Sequence, residues 1–148
     1  MNCVVKRFGE LTTDELYDLL QLRCAVFVVE QNCPYQDVDG IDRESTHLWL
    51  EEDGRMLAYL RWFRAPEDPE KLHIGRVLSV ERGKGWGARV LREALQHIDS
   101  ESPAEIEIEA QVYARGFYER EGFVACSEEF DLDGIPHLRM VRPRKEDE

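Results

Sequence analysis

The sequence predicts a mixed α/β fold, and three observations indicate it. Segments with the apolar pattern of strands occur in pairs that are separated by turn residues, as in β-hairpins. Between the pairs lies one strand, helix, strand unit, which is typical of α/β folds. The chain has 148 residues, 43% of them hydrophobic and 34% charged, a composition typical of globular rather than disordered chains. We therefore expect one domain over residues 1–148.

The N-terminal part predicts a strand, a capped helix and a loop. The segment CVVKRFGEL (3–11) has the pattern of a short first strand. Thr12 and Glu15 form a capping box, which begins a helix by satisfying free backbone amides. The helix is expected over 11–31, because apolar residues recur there at helical spacing: Leu16, Leu19, Leu20 and Phe27. The segment NCPYQDVDGIDRES (32–45) is rich in Asn, Pro, Asp and Gly, which predicts a loop.

The central part predicts a hairpin, a further strand and a helix. THLWLEE (46–52) and RMLAYLRWF (55–63) are strand patterns joined by Asp53 and Gly54, a dipeptide that favours a tight hairpin turn. RAPEDPEK (64–71) predicts a polar turn before the strand LHIGRVLSV (72–80). A glycine-rich turn follows, and it opens a helix whose apolar positions share one face. These positions are Val90, Leu91, Ala94, Leu95 and Ile98.

The C-terminal part predicts three strands and a short helix. AEIEIEA (104–110) alternates acidic and apolar residues, as a strand does. ARGFYERE (114–121) is expected to be a short helix that stops at Gly122. FVACSEEF (123–130) and PHLRMVR (136–142) predict two last strands, separated by the turn DLDGI (131–135).

Charge and composition exclude several function classes. The net charge of −12 argues against nucleic-acid binding, which depends on basic patches. No stretch approaches the roughly 20 apolar residues of a membrane-spanning helix. The start of the chain has no apolar signal region, so we expect a cytoplasmic protein. The four cysteines, Cys3, Cys24, Cys33 and Cys126, form no C-x-x-C pair and are expected to be reduced thiols.

A metal site is not expected either. Asp37, Asp39 and Asp42 lie close together in the loop 32–45. A calcium loop needs further ligands that end in a Glu at its twelfth position, and these acids do not keep that register.

The glycine-rich turn predicts an anion site. Gly83, Gly85 and Gly87 alternate with basic residues directly before a helix. Amides at a helix start are unpaired donors, and the helix dipole adds partial positive charge, so a phosphate can bind there. The P-loop pattern is not met, because Lys84 is followed by Gly85 rather than by Ser or Thr.

The dinucleotide-binding pattern is met in part. Gly83, Gly85 and Ala88 match G-x-G-x-x-[GA], and Glu105 and Glu107 lie about 20 residues further on, where a ribose-binding acid would be. A nucleotide-linked oxidoreductase is therefore one hypothesis. The hairpins around the motif disfavour it, because that fold continues with more βα units.

A third interpretation covers most of the chain. Residues 82–87 (RGKGWG) match R-x-x-G-x-G and resemble the pyrophosphate-binding motif of the GNAT acetyltransferase superfamily. QVYARGFYEREGF (111–123) is similar to the second coenzyme A segment of that family, N-x-x-A-x-x-F-Y-x-x-x-G-F, with Gln111 where Asn is usual. LRCAVFVVEQNCPYQDVDG (22–40) and DGIPHLRM (133–140) resemble the ElaA-type branch in particular.

The resemblance implies a fold and a reaction. The fold would be a central twisted mixed sheet flanked by helices, in which the fourth strand splays from the fifth and acetyl-CoA lies in the cleft. A substrate amine would attack the thioester directly, and Tyr118 would be the general acid that protonates the departing sulfur. The resemblance also implies the acetyl-CoA-binding residues: Leu78, Ser79, Val80, Arg82, Gly83, Lys84, Gly85, Trp86, Gly87, Ala88, Gln111, Ala114, Phe117 and Tyr118.

The general base and the acceptor stay open. A base is needed because an amine resembling lysine, with a pKa near 10.4, is neutral only to roughly one part in 10³ at pH 7. The candidates are His73, Glu107, Glu109, Glu30 and His137. The acceptor would be a small-molecule or peptide amine, and Asp37, Asp39 and His47 are candidates for binding a cationic one.

Three further points follow from the resemblance. Trp86 would either cover the coenzyme or cap the core. The link Ser79–Glu81 between strand and motif is shorter than is usual in the family and lacks its common Pro, so a catalytically silent acyl-CoA-binding module is a second hypothesis. A homodimer through the last strands would be ordinary for such folds.

Overall fold

The computed structural model describes residues 1–101, 103 and 105–144. In this part of the chain eight strands form one mixed sheet, in the order β1-β2-β3-β4-β5-β8-β6, with β7 also paired to β8. The strands are β1 (Asn2–Arg7), β2 (Thr46–Glu52), β3 (Arg55–Ala65), β4 (Asp68–Ser79), β5 (Glu105–Gln111), β6 (Val124–Ala125), β7 (Phe130–Leu132) and β8 (Ile135–Pro143). The α-helices are α1 (Thr13–Arg23), α2 (Trp86–Asp99) and α3 (Arg115–Glu119).

The predicted hairpins and the strand, helix, strand unit are confirmed. Strands β1 to β4 pair antiparallel in sequence order. Asp53 and Gly54 form the turn between β2 and β3 with φ values of 51° and 76°, the left-handed backbone that a two-residue hairpin turn requires. Helix α2 then connects β4 to β5, which run parallel, and β5 pairs antiparallel with β8.

The helices follow the predicted signals, with one addition. Thr12 and Glu15 form both hydrogen bonds of the capping box at the start of α1. After Arg23 the helix continues as a π-helical segment, Cys24–Glu30, which the spacing of apolar residues did not predict. None of the helices in the described parts of the chain is long and apolar enough to cross a membrane.

The sheet separates two hydrophobic clusters. The larger one lies between the sheet and α2, and it contains all five apolar positions predicted for that helix. The smaller one lies under α1 and contains Leu19, Trp49, Tyr59 and Leu78. Trp49 and Tyr59 are fully buried, so the packing of α1 fixes β2, β3 and the end of β4 together.

Two predicted boundaries are wrong. The segment 64–71 is not a polar turn throughout, because β3 extends to Ala65 and β4 begins at Asp68. Residues 66–70 are exposed at the tip of this hairpin, and an exposed tip tolerates polar residues and proline in extended backbone.

The second wrong boundary is the strand 123–130, which is interrupted between β6 and β7. At the interruption the Ser127 hydroxyl accepts a hydrogen bond from the Arg139 amide at 2.9 Å. This side-chain oxygen takes the place of a ladder carbonyl. The predicted strand at 104–110 corresponds to β5, and its first residue, Ala104, lies outside the described residues.

Candidate active site

A cleft opens in the sheet where β4 and β5 separate. Among the described residues the two strands pair only from Lys71 to His73 on β4, opposite Glu105 to Glu107 on β5. Beyond this point Leu78 and Ser79 still pair with β3 on their other side. The edge of β4 that faces β5 is therefore unpaired, and its amides and carbonyls can bind an extended ligand.

The glycine turn lies directly at the end of this free edge. Gly83 and Gly85 have φ values of 78° and 75°, and Gly85 is the N-cap residue of α2. Within the described residues, no backbone amide from Glu81 to Ala88 donates a well-aligned hydrogen bond. A Cβ at either glycine would meet nothing within 4 Å, so the turn is open to an anion.

The short link before the turn is ordered by its own side chain. The Ser79 hydroxyl donates to the Glu81 carbonyl at 2.8 Å, and the Val80 amide donates to the Leu57 carbonyl at 2.9 Å.

An open cavity of about 440 Å³ lies beside Val80, between α1 and the turn that precedes β3. Arg82 and Lys84 are exposed next to the turn, where their charges favour an anion.

The second predicted segment packs against the glycine turn. Phe117 lies 3.8 Å from the position that a Cβ of Gly87 would occupy, so a larger residue at 87 would meet the Phe117 ring in ordinary contact. Trp86 and Ala114 are partly buried against the larger core, as expected for a Trp86 that caps the core. Gln111, at the end of β5, donates to the Gln31 side chain at 3.2 Å.

Tyr118 is enclosed by aromatic rings. Its side chain is 7% exposed, and it packs edge-to-face on Phe117 and Phe123 at centroid distances of 5.0 and 5.9 Å. Burial, together with nearby Tyr113, raises the pKa of Tyr118 above its usual value. The phenol therefore keeps its proton at neutral pH, as a general acid must.

The surroundings of the candidate bases differ, and those of Glu107 disfavour it. Glu107 is buried and accepts from Lys71 Nζ at 2.5 Å and from Arg139 Nε at 2.7 Å. Burial alone would raise the pKa of Glu107, but the Lys71 hydrogen bond and the charges of Arg139 and His73 lower it overall. A carboxylate held by two cations is a weak base, so Glu107 is disfavoured.

The other candidates differ in their exposure and contacts. His73 stacks on Phe63 at 5.4 Å, beside the point where β4 and β5 separate. Glu30 and Glu109 are exposed. His137 is 8% exposed, with Nδ1 2.7 Å from the Ile135 carbonyl, and this nitrogen must therefore carry a proton as the donor.

The loop acids are paired with buried arginines, which sequence reasoning missed. Arg23 contacts Asp37 at 3.0 Å and Asp42 at 2.5 Å, while Arg61 contacts Asp39 at 2.6 Å and Asp42 at 2.8 Å. Burial alone would raise the pKa of Asp39, but Arg61 and Arg76 lower it to about 2. These ion pairs disfavour the prediction that Asp37 and Asp39 bind a cationic substrate, because arginines of the chain already contact both carboxylates.

His47 is also part of this buried cluster rather than of an open site. Its Nε2 lies 2.9 Å from the Asp42 carbonyl, which only accepts, and its Nδ1 lies 2.6 Å from the Tyr59 hydroxyl. Nε2 therefore carries a proton, and in the neutral ring Nδ1 accepts from the Tyr59 hydroxyl. Burial, together with the charges of Arg23 and Arg61, lowers the pKa of His47.

The lowered pKa of His47 predicts a loss of stability below about pH 6.5. Since the unfolded chain binds this proton more readily, the free energy of unfolding should fall as pH decreases, by up to about 1.4 kcal/mol per pH unit. Urea unfolding between pH 7.5 and 5 measures the slope. His47→Gln should flatten it and the exposed His97→Gln should not; equal slopes in wild type and His47→Gln would contradict the prediction.

Comparison with known proteins decides the family. The acetyltransferase (GNAT) domain family matches residues 14–143. Protein ElaA of Escherichia coli is 41% identical over 139 residues, which are 90% of this chain and 91% of that protein. The chain belongs to the GNAT acetyltransferase family.

Solved GNAT structures agree with this assignment. An acyl-CoA N-acyltransferase from Pseudomonas aeruginosa superposes with a TM-score of 0.89 at 41% identity, covering 96% of this chain and 99% of that one. Escherichia coli ElaA superposes with a TM-score of 0.89 at 37% identity, covering 95% and 98%. The predicted GNAT fold is thus confirmed, and the dinucleotide-binding interpretation is wrong: α2 is the only crossover between parallel strands in the described residues.

Proposed function

We propose that this protein is an acetyl-CoA-dependent N-acetyltransferase of the cytoplasm. It transfers the acetyl group to a primary amine of a small molecule or of a protein. The observation that carries the proposal is the free edge of β4, which runs into a turn at the start of α2 whose amides donate no well-aligned backbone hydrogen bond. One end of this arrangement suits an extended amide-bearing chain and the other suits a pyrophosphate, which together are the features of coenzyme A.

The residues of this chain fit that ligand in named roles. The edge at Leu78, Ser79 and Val80 would pair with the pantetheine amides. The amides of residues 83–88 would bind the pyrophosphate, because the left-handed φ values at Gly83 and Gly85 turn them outward. Arg82 and Lys84 add charge at the rim, and Phe117 holds α3 against the start of α2.

The reaction requires that one proton is removed from the amine and that another is donated to the departing sulfur. The neutral amine attacks the thioester carbonyl carbon, the carbon–sulfur bond breaks, and the thiolate leaves with a proton from Tyr118. The amine's proton goes to a base, and His73 is our preferred candidate because it lies where β4 and β5 separate and Glu107 is already paired. Tyr118 recovers its proton from solvent.

A second candidate function is a catalytically silent acyl-CoA-binding module. The observation that favours it is the pairing of Glu107 with Lys71 and Arg139, which disfavours the one buried carboxylate among the candidate bases. The shortened link before the glycine turn also favours a silent module. Such a module would bind coenzyme A without transferring the acetyl group.

A thiol-release screen separates the two functions. Acetyl-CoA is incubated with the protein and with polyamines, amino acids, aminoglycosides or peptides, and the free CoA thiol is measured. We expect release with at least one amine class, and loss of that release in His73→Gln. Binding of CoA without release across the panel would favour the silent module, and binding of NADH but not of CoA would contradict both.

A further inference from the structure

One residue of the cleft has a strained backbone conformation. Arg76 has a φ of 57°, a region that residues with a Cβ seldom adopt outside turns. It lies within β4, at a bulge: Leu78 pairs with Tyr59 and Gly75 pairs with Arg61, so Arg76 and Val77 lie opposite Leu60 alone. Bulges next to active sites change the direction in which a strand presents its groups.

The bulge begins where β4 loses its partner. Pairing with β5 ends at His73, and the bulge follows within the unpaired edge. The backbone direction of the following residues, Val77 and Leu78, therefore depends on the conformation of Arg76. Strained residues of this kind persist only where surrounding contacts hold them.

The surrounding contacts come from the loop that precedes β2. Arg76 Nε donates to Asp37 Oδ1 at 2.9 Å, and Nη2 donates to the Asp37 carbonyl at 3.2 Å and to Asp39 Oδ2 at 3.3 Å. The guanidinium also lies 5.4 Å from the centre of the Tyr35 ring. We call this set of contacts the Arg76 clamp.

The loop that provides the clamp is itself fixed on both sides of the cleft. On the β4 side, Asp37 and Asp39 are anchored by Arg23 and Arg61. On the β8 side, the Cys33 thiol contacts the Asp133 carbonyl at 3.3 Å, in the turn between β7 and β8. The loop thus bridges the separated halves of the sheet and can hold Arg76 in a defined place.

The buried part of this cluster is incompletely hydrogen-bonded. Among the described residues, Asp42 Oδ2 and Arg61 Nε are buried without a hydrogen-bond partner. Incompletely paired buried charges usually stabilise a fold no better than apolar residues of the same volume. A positional role explains why three arginines and three aspartates meet at this bulge.

We propose that Arg76 is a positioning residue for the acyl group. Its clamped guanidinium keeps β4 in the left-handed bulge, and the bulge directs a backbone amide of β4 at the thioester carbonyl. The inference rests on the proposed function, because it assumes that acetyl-CoA binds along β4. Arg76 itself does not need to touch the acetyl group.

Two variants separate the backbone effect from the loss of charge. Arg76→Ala and Arg76→Gly both remove the guanidinium, but glycine adopts positive φ freely and alanine does not. Calorimetric titration with acetyl-CoA and with CoA gives the ratio of their affinities. We expect wild type to bind acetyl-CoA about 3- to 10-fold more tightly than CoA, the factor that one hydrogen bond supplies.

The expected order of this preference is wild type, then Arg76→Gly, then Arg76→Ala. The alanine variant should show no preference for acetyl-CoA, while its affinity for CoA changes by less than about threefold. If it does not fold, Asp39→Asn weakens the same clamp from the loop side and should lower the preference. Arg64→Gly is the matched control, since Arg64 lies in the paired part of β3 and should keep the full preference.

The outcomes that would overturn the positioning role differ from those that would overturn the proposed function. An unchanged preference in Arg76→Ala, or equal preferences in the glycine and alanine variants, would overturn the positioning role and leave the proposed function standing. Wild-type protein that binds neither acetyl-CoA nor CoA would overturn the proposed function, and the positioning role with it.

Discussion

Replacing Tyr118 by Phe is expected to lower the turnover number about 100-fold, the lower end of what a general acid contributes. Burial raises the pKa of Tyr118, so the phenol is protonated and can supply the departing thiolate at neutral pH. The ring should stay in place, because its contacts with Phe117 and Phe123 are aromatic. Steady-state kinetics with an amine found in the thiol-release screen measure the effect.

Tyr113→Phe is the matched control for this variant. Tyr113 lies in the same segment but is 78% exposed, so loss of its hydroxyl should leave turnover within about twofold of wild type. Tyr118→Phe should also keep its affinity for acetyl-CoA. Wild-type turnover in Tyr118→Phe, or a loss confined to acetyl-CoA affinity, would show that Tyr118 has a packing role only.

Replacing Arg23 by Ala is expected to lower the free energy of unfolding by about 3–5 kcal/mol, the cost of removing one partner of a buried ion pair. Arg23 is fully buried and contacts both Asp37 and Asp42. Without it each of these buried carboxylates loses one of its two arginine partners and keeps only the other, Arg76 for Asp37 and Arg61 for Asp42. Urea unfolding at pH 7 measures the change.

Arg92→Ala is the control for the removal of an arginine in an ion pair. Arg92 contacts Glu121 at 2.9 Å but its side chain is 64% exposed, and exposed pairs contribute about 0–1 kcal/mol. A loss in Arg23→Ala no larger than the loss in Arg92→Ala would mean that the buried cluster does not hold the loop to the sheet.

The sequence predicted the elements whose signals are local. The Asp53-Gly54 turn, the capping box at Thr12 and the apolar face of α2 each depend on residues a few positions apart, and all were confirmed. The glycine turn was predictable for the same reason, since its left-handed backbone is easy only for glycine. The separation of β4 from β5 was predicted only from the family resemblance.

The sequence did not predict the arginine–aspartate cluster, because its contacts join residues far apart in the chain. Arg23, Arg61 and Arg76 look like ordinary surface charges in a local window, and their burial depends on acids in the loop 32–45. The one available signal was that Arg61 and Arg76 lie within apolar strand patterns, at RWF (61–63) and GRV (75–77). The π-helical segment after Arg23 carried no such signal.

The measurement that tests the central claim most directly is thermal unfolding with and without acetyl-CoA, for wild type and for Gly85→Val. At a ligand concentration of 100 Kd the wild type should gain about 2.7 kcal/mol, an increase in Tm of roughly 5–10 °C for a chain of this size. Gly85→Val should gain nothing, because a β-branched residue strains the φ of 75° and its side chain points into the open turn. Gly134→Val, at a φ of 81° in the turn between β7 and β8, carries the same strain and should keep the full gain. No increase in Tm for the wild type, or an equal increase in Gly85→Val, would contradict a coenzyme A site at the start of α2.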